Sequence, residues 1–274
     1  DTTLVGEIGD DKPLERMAEY TRGDGRLHMA YSFDLLSDRH GPDWVRDVVR
    51  RFQSGLGEGW PCWALSNHDV VRVVSRWGEG VDDPAAYARI LMALMLTLRG
   101  SVSMYQGEEL GLPEARVPYE ALQDPYGIEF WPAFKGRDGC RTPMPWNAEA
   151  RAGFTTGEPW LPIDPVHREL SVQGQQEDPD STLNRVRRLI RWRQRQPALV
   201  AGELELIENT GDALCWIRRS RDQSLLVTLN LTGRQLRTPI PCAISTVITE
   251  PGFEGYLEGD ELVLPPYQAL FAEL

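Results

Sequence analysis

The chain has 274 residues, 41% hydrophobic and 26% charged, enough to bury a full core in one large or two modest domains. Its net charge of −12 excludes a sequence-blind nucleic-acid binder, which needs a basic stripe. No apolar run reaches the roughly 18 residues of a membrane-spanning helix. Cys62, Cys140, Cys215 and Cys242 stand far apart without CxxC spacing, and read as reduced thiols of a cytoplasmic protein rather than a disulfide framework.

The opening Asp-Thr-Thr lacks an initiator Met or signal peptide and reads as a cut just upstream of a strand. Residues 4–8, LVGEI, are that strand, brief and buried, with Glu7 at its end. Residues 13–20 form a short helix or ordered loop, and residues 27–33, LHMAYSF, a second strand. Residues 43–53 place Trp44, Val45, Val48, Val49 and Phe52 at i, i+3, i+4 spacing, which predicts an amphipathic helix. Residues 60–66 are a third strand. Pro84 opens a largely apolar helix with Gly100 beyond its end, and residues 101–105 are a fourth strand.

A Pro-, Gly- and aromatic-rich excursion follows over about residues 111–178; so long a loop inside a domain is usually functional. Residues 181–196 read as a helix ended by Pro197. After Gly202 the texture changes to short alternating strands separated by turns, the signature of a small antiparallel β domain. The boundary is placed near Ala201, giving domains 1–201 and 202–274. Asn230-Leu231-Thr232 has the letters of a glycosylation sequon but reads as strand and turn.

The first two hundred residues thus run strand–helix four times, with strand ends carrying Glu7, Phe33-Asp34, Asn67-His68-Asp69 and Glu108-Glu109. In a barrel of parallel strands those C-terminal ends deliver polar side chains to one cavity. Four strands are half a closed barrel, so either the sheet is open or the other half lies upstream. WPCWALSNHD at 60–69 is the central stretch. Its Asn67 and Asp69 read equally as helix N-caps before VVRVV or as ligand-facing groups. Carboxylates such as Glu7 and Asp69 together suit glycosidic-bond cleavage, in which one acid protonates the leaving oxygen and another carboxylate acts on the sugar.

GEI at 6–8, SNHD at 66–69, MYQGEELG at 104–111 and GRDGCRTPMPW at 136–146 resemble the α-amylase superfamily, in particular its retaining α-glucosidases. AEYTRGDGRLHMAYSFDLL at 18–36 resembles the same group, and the likeness covers essentially the entire chain. The resemblance implies the C-terminal half of a (β/α)8 barrel, strands five to eight, followed by a small antiparallel β-sandwich. It implies Glu7 as general acid/base, and Asp69 as the residue that grips sugar hydroxyls and stabilises the oxocarbenium-like transition state. His68 would hydrogen-bond a hydroxyl, and Arg137 would close the pocket end, the alternative for Arg137 being a loop-pinning pair with Asp138. Phe33 reads as a pocket wall or as core. Glu114 is the candidate for reaching an acceptor sugar, in competition with Glu108, Glu109 and Glu120.

The family's nucleophile is an aspartate on a strand before the acid, and it has no match here. Arg22-Gly23-Asp24 has the letters but follows Glu7 in a Gly-rich turn. The expectation is therefore part of a cytoplasmic α-glucosidase, acting on maltose-like α-glucosides by hydrolysis and transfer, and inactive as this chain alone. No cofactor or metal ligand set is expected in these residues, nor a nucleic-acid or membrane partner. Sucrose isomerase or trehalose synthase chemistry and a non-catalytic binding homologue are the alternatives.

Overall fold

The structure, a computed structural model, describes residues 2–23, 25–57 and 59–274, with the backbone alone for Ser32. Asp24, weighed above as a nucleophile, lies outside the described residues. In chain order the elements are β1 (Val5–Ile8), α1 (Pro13–Thr21), β2 (Met29–Ser32), α2 (Pro42–Gly55), β3 (Cys62–Trp63), α3 (Val73–Arg76), α4 (Pro84–Thr97) and β4 (Ser101–Val102). The excursion holds α5 (Pro125–Glu129), α6 (Pro165–Glu169) and α7 (Val172–Glu177); α8 (Thr182–Gln194) and α9 (Pro197–Ala201) follow. The remainder is β5 (Glu203–Leu206), β6 (Leu214–Arg219), β7 (Ser224–Leu229), β8 (Leu236–Pro239), β9 (Thr246–Ile248), β10 (Tyr256–Glu258), β11 (Glu261–Leu264) and β12 (Ala269–Glu273).

These elements form two compact units, one of residues 1–64, 89–103 and 188–274, the other of residues 65–88 and 104–187. In the first unit, β1 pairs with β2 in parallel, Ala30 bridges to Pro61 in parallel, and β3 pairs with β4 in parallel. This is the strand order expected of half a barrel. The helices between follow from sequence. Gly41 at φ +89° and Pro42 in the first turn start α2, whose Val45, Val48, Val49 and Phe52 are buried. Trp44, expected on that face, is only half-buried, its ring covered by the Arg39 guanidinium at 3.6 Å.

Three expectations are corrected. The first strand is not buried, because β2 is its one strand neighbour among the described residues; Leu4 and Val5 are about half exposed and only Ile8 is covered. The third and fourth strands shrink to two residues each, although Ser101 N–H to Pro61 O and Ser103 N–H to Trp63 O extend their contact. Pro197 does not simply end a helix; α8 stops at Gln194 and Pro197 starts α9. Gly100 has a strict reason to be glycine: at φ +132°, an added Cβ would lie 2.5 Å from the Pro61 carbonyl oxygen.

From Glu203 onward all pairings are antiparallel. One sheet has the order β5-β6-β7-β12-β9 and the other β10-β11-β8. Cys215, Ile217, Leu226, Leu270 and Ala272 of the larger sheet share one buried cluster with Leu236, Leu262 and Leu264 of the smaller, which makes a two-layer sandwich. β8 and β10 were not anticipated from sequence. Trp192 of α8 packs on Phe271 of β12, with ring centroids 4.9 Å apart. Fully buried Arg218 on β6 donates to the carbonyls of Thr97, Leu98, Leu199, Gly202 and Glu203, satisfying the open ends of α4 and α9. Asn230 is fully buried and donates to Arg234, Leu264 and Pro265 carbonyls, in keeping with a turn residue. The four cysteines are free thiols.

Candidate active site

Glu7 and Phe33 belong to the first unit. Glu7 stands in register with Tyr31 across the parallel pair, and the Tyr31 hydroxyl donates to Glu7 Oε2 at 2.6 Å. The carboxylate is solvent-exposed and is oriented by that phenol, a partner that the sequence did not suggest. Phe33 is 45% exposed, so the core alternative is not what the chain adopts. Its ring lies over Gly9 and lines a cleft of about 230 Å³ together with Ile8, Asp10 and Trp44.

His68, Asp69, Arg137 and Glu114 belong to the second unit, and the first three meet. The segment after β3 turns sharply because Asn67 Oδ1 accepts the Asp69 N–H at 2.8 Å, an Asx turn. The helix-cap reading of Asn67 and Asp69 is therefore replaced. Ser66 Oγ accepts the Val73 N–H, Glu114 Oε2 accepts the Arg72 N–H, and Asp69 projects from the turn. The Asp69 carboxylate receives Arg141 Nη2 at 2.7 Å and Arg137 Nη1 at 3.2 Å, with His68 Nε2 at 3.7 Å.

Arg137 does not pair with Asp138. Its Nε and Nη2 donate to the two oxygens of Asp124, each at 2.9 Å, and its backbone N–H reaches Asp124 Oδ2. That grip holds the Asp124 carboxyl down at about 2. Fully buried Asp138 instead accepts the backbone N–H groups of Gln123 and Asp124. The Arg137 guanidinium also lies over the ring of exposed Tyr126, 5.4 Å from its centroid.

Arg72 is buried beneath this loop. It donates to Gln106 O and, with the Tyr105 hydroxyl, to Cys140 O, fixing residues 137–141 from below. Glu114 lines a cleft of about 510 Å³ with Val71, Arg116, Trp131 and Lys135. Burial pushes its carboxyl up, and its Oε2 is already taken by the Arg72 N–H. Two of its three competitors are also occupied: Glu108 Oε2 accepts the Tyr105 N–H, and Glu109 Oε2 accepts the Gly107 N–H, while Glu120 is exposed. Glu108 is buried, and desolvation pushes its carboxyl up to about 7. Among the described residues no three His, Cys, Asp or Glu side chains converge as metal ligands.

Asp124 and Arg141 were missed from sequence. Asp124-Pro125 is legible as a helix N-cap, and Asp124 does accept the Tyr126 N–H. Nothing in its spacing announces the pair with Arg137. Arg141 sits in the quoted GRDGCR run, yet its contacts to residues 68 and 69 exist only in three dimensions.

Parallel strands alternating with helices and followed by an antiparallel sandwich are the architecture of a partial α/β barrel with an appended β domain, and the second unit carries the Asp69-His68-Arg137 cluster. The model of the α-amylase catalytic domain matches residues 1–202, and the chain belongs to that family. It is 45% identical over 272 residues to a probable α-glucosidase of Rhizobium meliloti, covering 98% of this chain and 49% of that protein. It is 30% identical over 285 residues to an oligo-1,6-glucosidase of Halalkalibacterium halodurans, covering 92% of this chain and 50% of that one. Among solved structures, the α-glucosyl transfer enzyme XgtA superposes with a TM-score of 0.94 at 46% identity, over 99% of this chain and 50% of its own. The chain thus spans about half the length of the relatives it matches.

Proposed function

We propose that this chain forms part of a retaining α-glucosidase that removes terminal α-linked glucose from short oligosaccharides and transfers it to acceptors. The observation that carries the reading is the Asp69 carboxylate, presented by an Asx turn beside His68 and gripped by Arg137 and Arg141. The N–H donors of such a set are suited to sugar hydroxyls, and the Asp69 carboxylate to the positive charge that develops on the glycosyl ring.

In this reading Glu7 protonates the glycosidic oxygen as the bond to the anomeric carbon breaks, and then takes a proton from the attacking water or sugar. Tyr31, donating to Glu7, holds the carboxyl in its working orientation. Asp69 stabilises the transition state, His68 and Arg137 bind hydroxyls of the glucose, Phe33 forms a wall, and Glu114 borders the acceptor cleft. Retention also requires a carboxylate nucleophile, a role assigned to none of the described residues.

We also take maltose-like α-glucosides as substrates, the cytoplasm as the location, and a boundary near Ala201 between the barrel part and the β domain. No helix among the described residues is long and apolar enough to cross a membrane. A transglucosidase is the second reading, favoured by the likeness at 46% identity to a glucosyl transfer enzyme. The test is Glu7→Gln in the whole protein. It should abolish turnover of maltose, which has a poor leaving group, and leave glucose binding intact. Near-normal maltose hydrolysis by this variant would overturn the assignment.

A further inference from the structure

Among the described residues, every contact on the Asp69 carboxylate falls on one oxygen. Arg141 Nη2, Arg137 Nη1 and His68 Nε2 all approach Oδ1, and Oδ2 takes no protein donor. The two guanidiniums are fixed in different ways. Arg137 is set by Asp124 and gives Asp69 only its longer, 3.2 Å contact. Arg141 gives the shorter one, and its Nε donates to the His68 carbonyl at 2.6 Å. One planar fork therefore spans the backbone of residue 68 and the side chain of residue 69.

That arrangement fixes two things at once. The Nε bond sets the peptide that carries Asp69, and the Nη2 bond sets the rotation of its carboxylate. The Asp69 side chain is 40% exposed and that of Arg141 21%, so the acid faces outward while the arginine supports it from behind. We infer that Arg141 is a positioning residue, which turns Asp69 Oδ1 towards the protein and leaves Oδ2 for a sugar hydroxyl. The inference rests on the role proposed above for Asp69.

The test compares Arg141→Ala and Arg141→Lys with wild type in the whole protein. Binding of 1-deoxynojirimycin, a glucose-shaped iminosugar, is measured by calorimetry, and kcat and KM are measured on p-nitrophenyl α-glucoside. Arg141→Ala should lower kcat/KM about a hundredfold, the scale expected when a reacting group is misplaced by an ångström. Lysine should rescue little, because one ammonium cannot reproduce the fork, whereas added guanidinium should restore part of the alanine variant's activity. Once Asp69→Asn is present, Arg141→Ala should cost no further iminosugar affinity, since it acts through Asp69.

Additive losses in that double variant, or no rescue by guanidinium, would overturn the inference. Should the alanine variant fail to fold, wild-type kcat and KM for Arg141→Lys would overturn it as well. A wild-type protein that neither binds the iminosugar nor cleaves the glucoside would instead overturn the α-glucosidase reading, and the positioning role with it.

Discussion

Arg137 and Asp124 meet through two parallel hydrogen bonds, Nε to Oδ2 and Nη2 to Oδ1, each 2.9 Å long. The Asp124 side chain is fully buried while that of Arg137 remains 27% exposed, so the carboxylate fixes an arginine whose outer edge is open. Arg137 uses that open edge to reach Asp69. A buried carboxylate far along the chain from the SNHD run thereby shapes the charge of the site.

Asp124→Asn keeps the shape of this carboxylate and removes its charge. It should lower stability by about 2 kcal/mol at neutral pH, the scale of a hydrogen bond to a charged group. Because the folded carboxyl is held down at about 2, the stability it provides is present above the unfolded value near 4. That stability is lost as pH falls towards 2. Denaturant titrations between those pH values should show a steeper loss for wild type than for the variant. Equal slopes would mean that the pair is not coupled to folding.

Glu108 predicts the opposite slope. Burial raises its carboxyl to about 7, so the folded state holds a proton that the unfolded state has released. This acid's contribution is greatest below about pH 4.5 and declines as pH rises to about 7. Its Oε1 is buried with no partner, which makes the ionised form costly. Glu108→Gln should therefore match wild type near pH 4 and exceed it above neutrality by up to about 3 kcal/mol. A melting-temperature series across pH measures this directly, and a variant less stable at pH 8 would refute it.

Gly139 lies between the two arginines of the site. A Cβ there would come within 2.2 Å of Glu114 Oε1 and 2.8 Å of the Ala115 carbonyl oxygen. Ala115 N–H also donates to Gly139 O, so neither backbone can move aside easily. Gly139→Ala should cost about 1–3 kcal/mol and displace Arg137 and Arg141 together. Sugar binding by the whole protein should weaken, and unchanged affinity would show that the loop adapts.

What was legible in the sequence had local causes. The i, i+3, i+4 spacing of Val45, Val48, Val49 and Phe52 and the neighbouring Gly41-Pro42 suffice to define α2. The switch to antiparallel strands after Gly202 was visible in alternation alone. Strand lengths were overestimated at 60–66 and 101–105, because an apolar run does not tell which of its residues find a ladder partner. Leu4 and Val5 were expected inside because they are apolar, yet burial depends on a neighbouring strand.

The site follows the same division. His68, Asp69 and Arg137 were identifiable from their motifs, and the structure brings these three side chains together. The residues that hold them, Asp124, Arg141, Arg72 and Tyr105, act across 34 or more positions for the Arg72 contacts and 72 for Arg141 with Asp69. Such pairings leave no periodic trace. Glu114 was chosen for its charge, and only the fold reveals that a backbone N–H already occupies one of its oxygens.

The most direct measurement is the anomeric form of the glucose that the whole protein releases from methyl α-glucoside, whose leaving group is methanol rather than a second glucose, followed by proton NMR before mutarotation. A retaining mechanism predicts α-glucose first, with Glu7→Gln abolishing its appearance. Release of β-glucose would require inversion with a separate water-activating base, and would contradict the retaining reading and the acid-then-base role of Glu7.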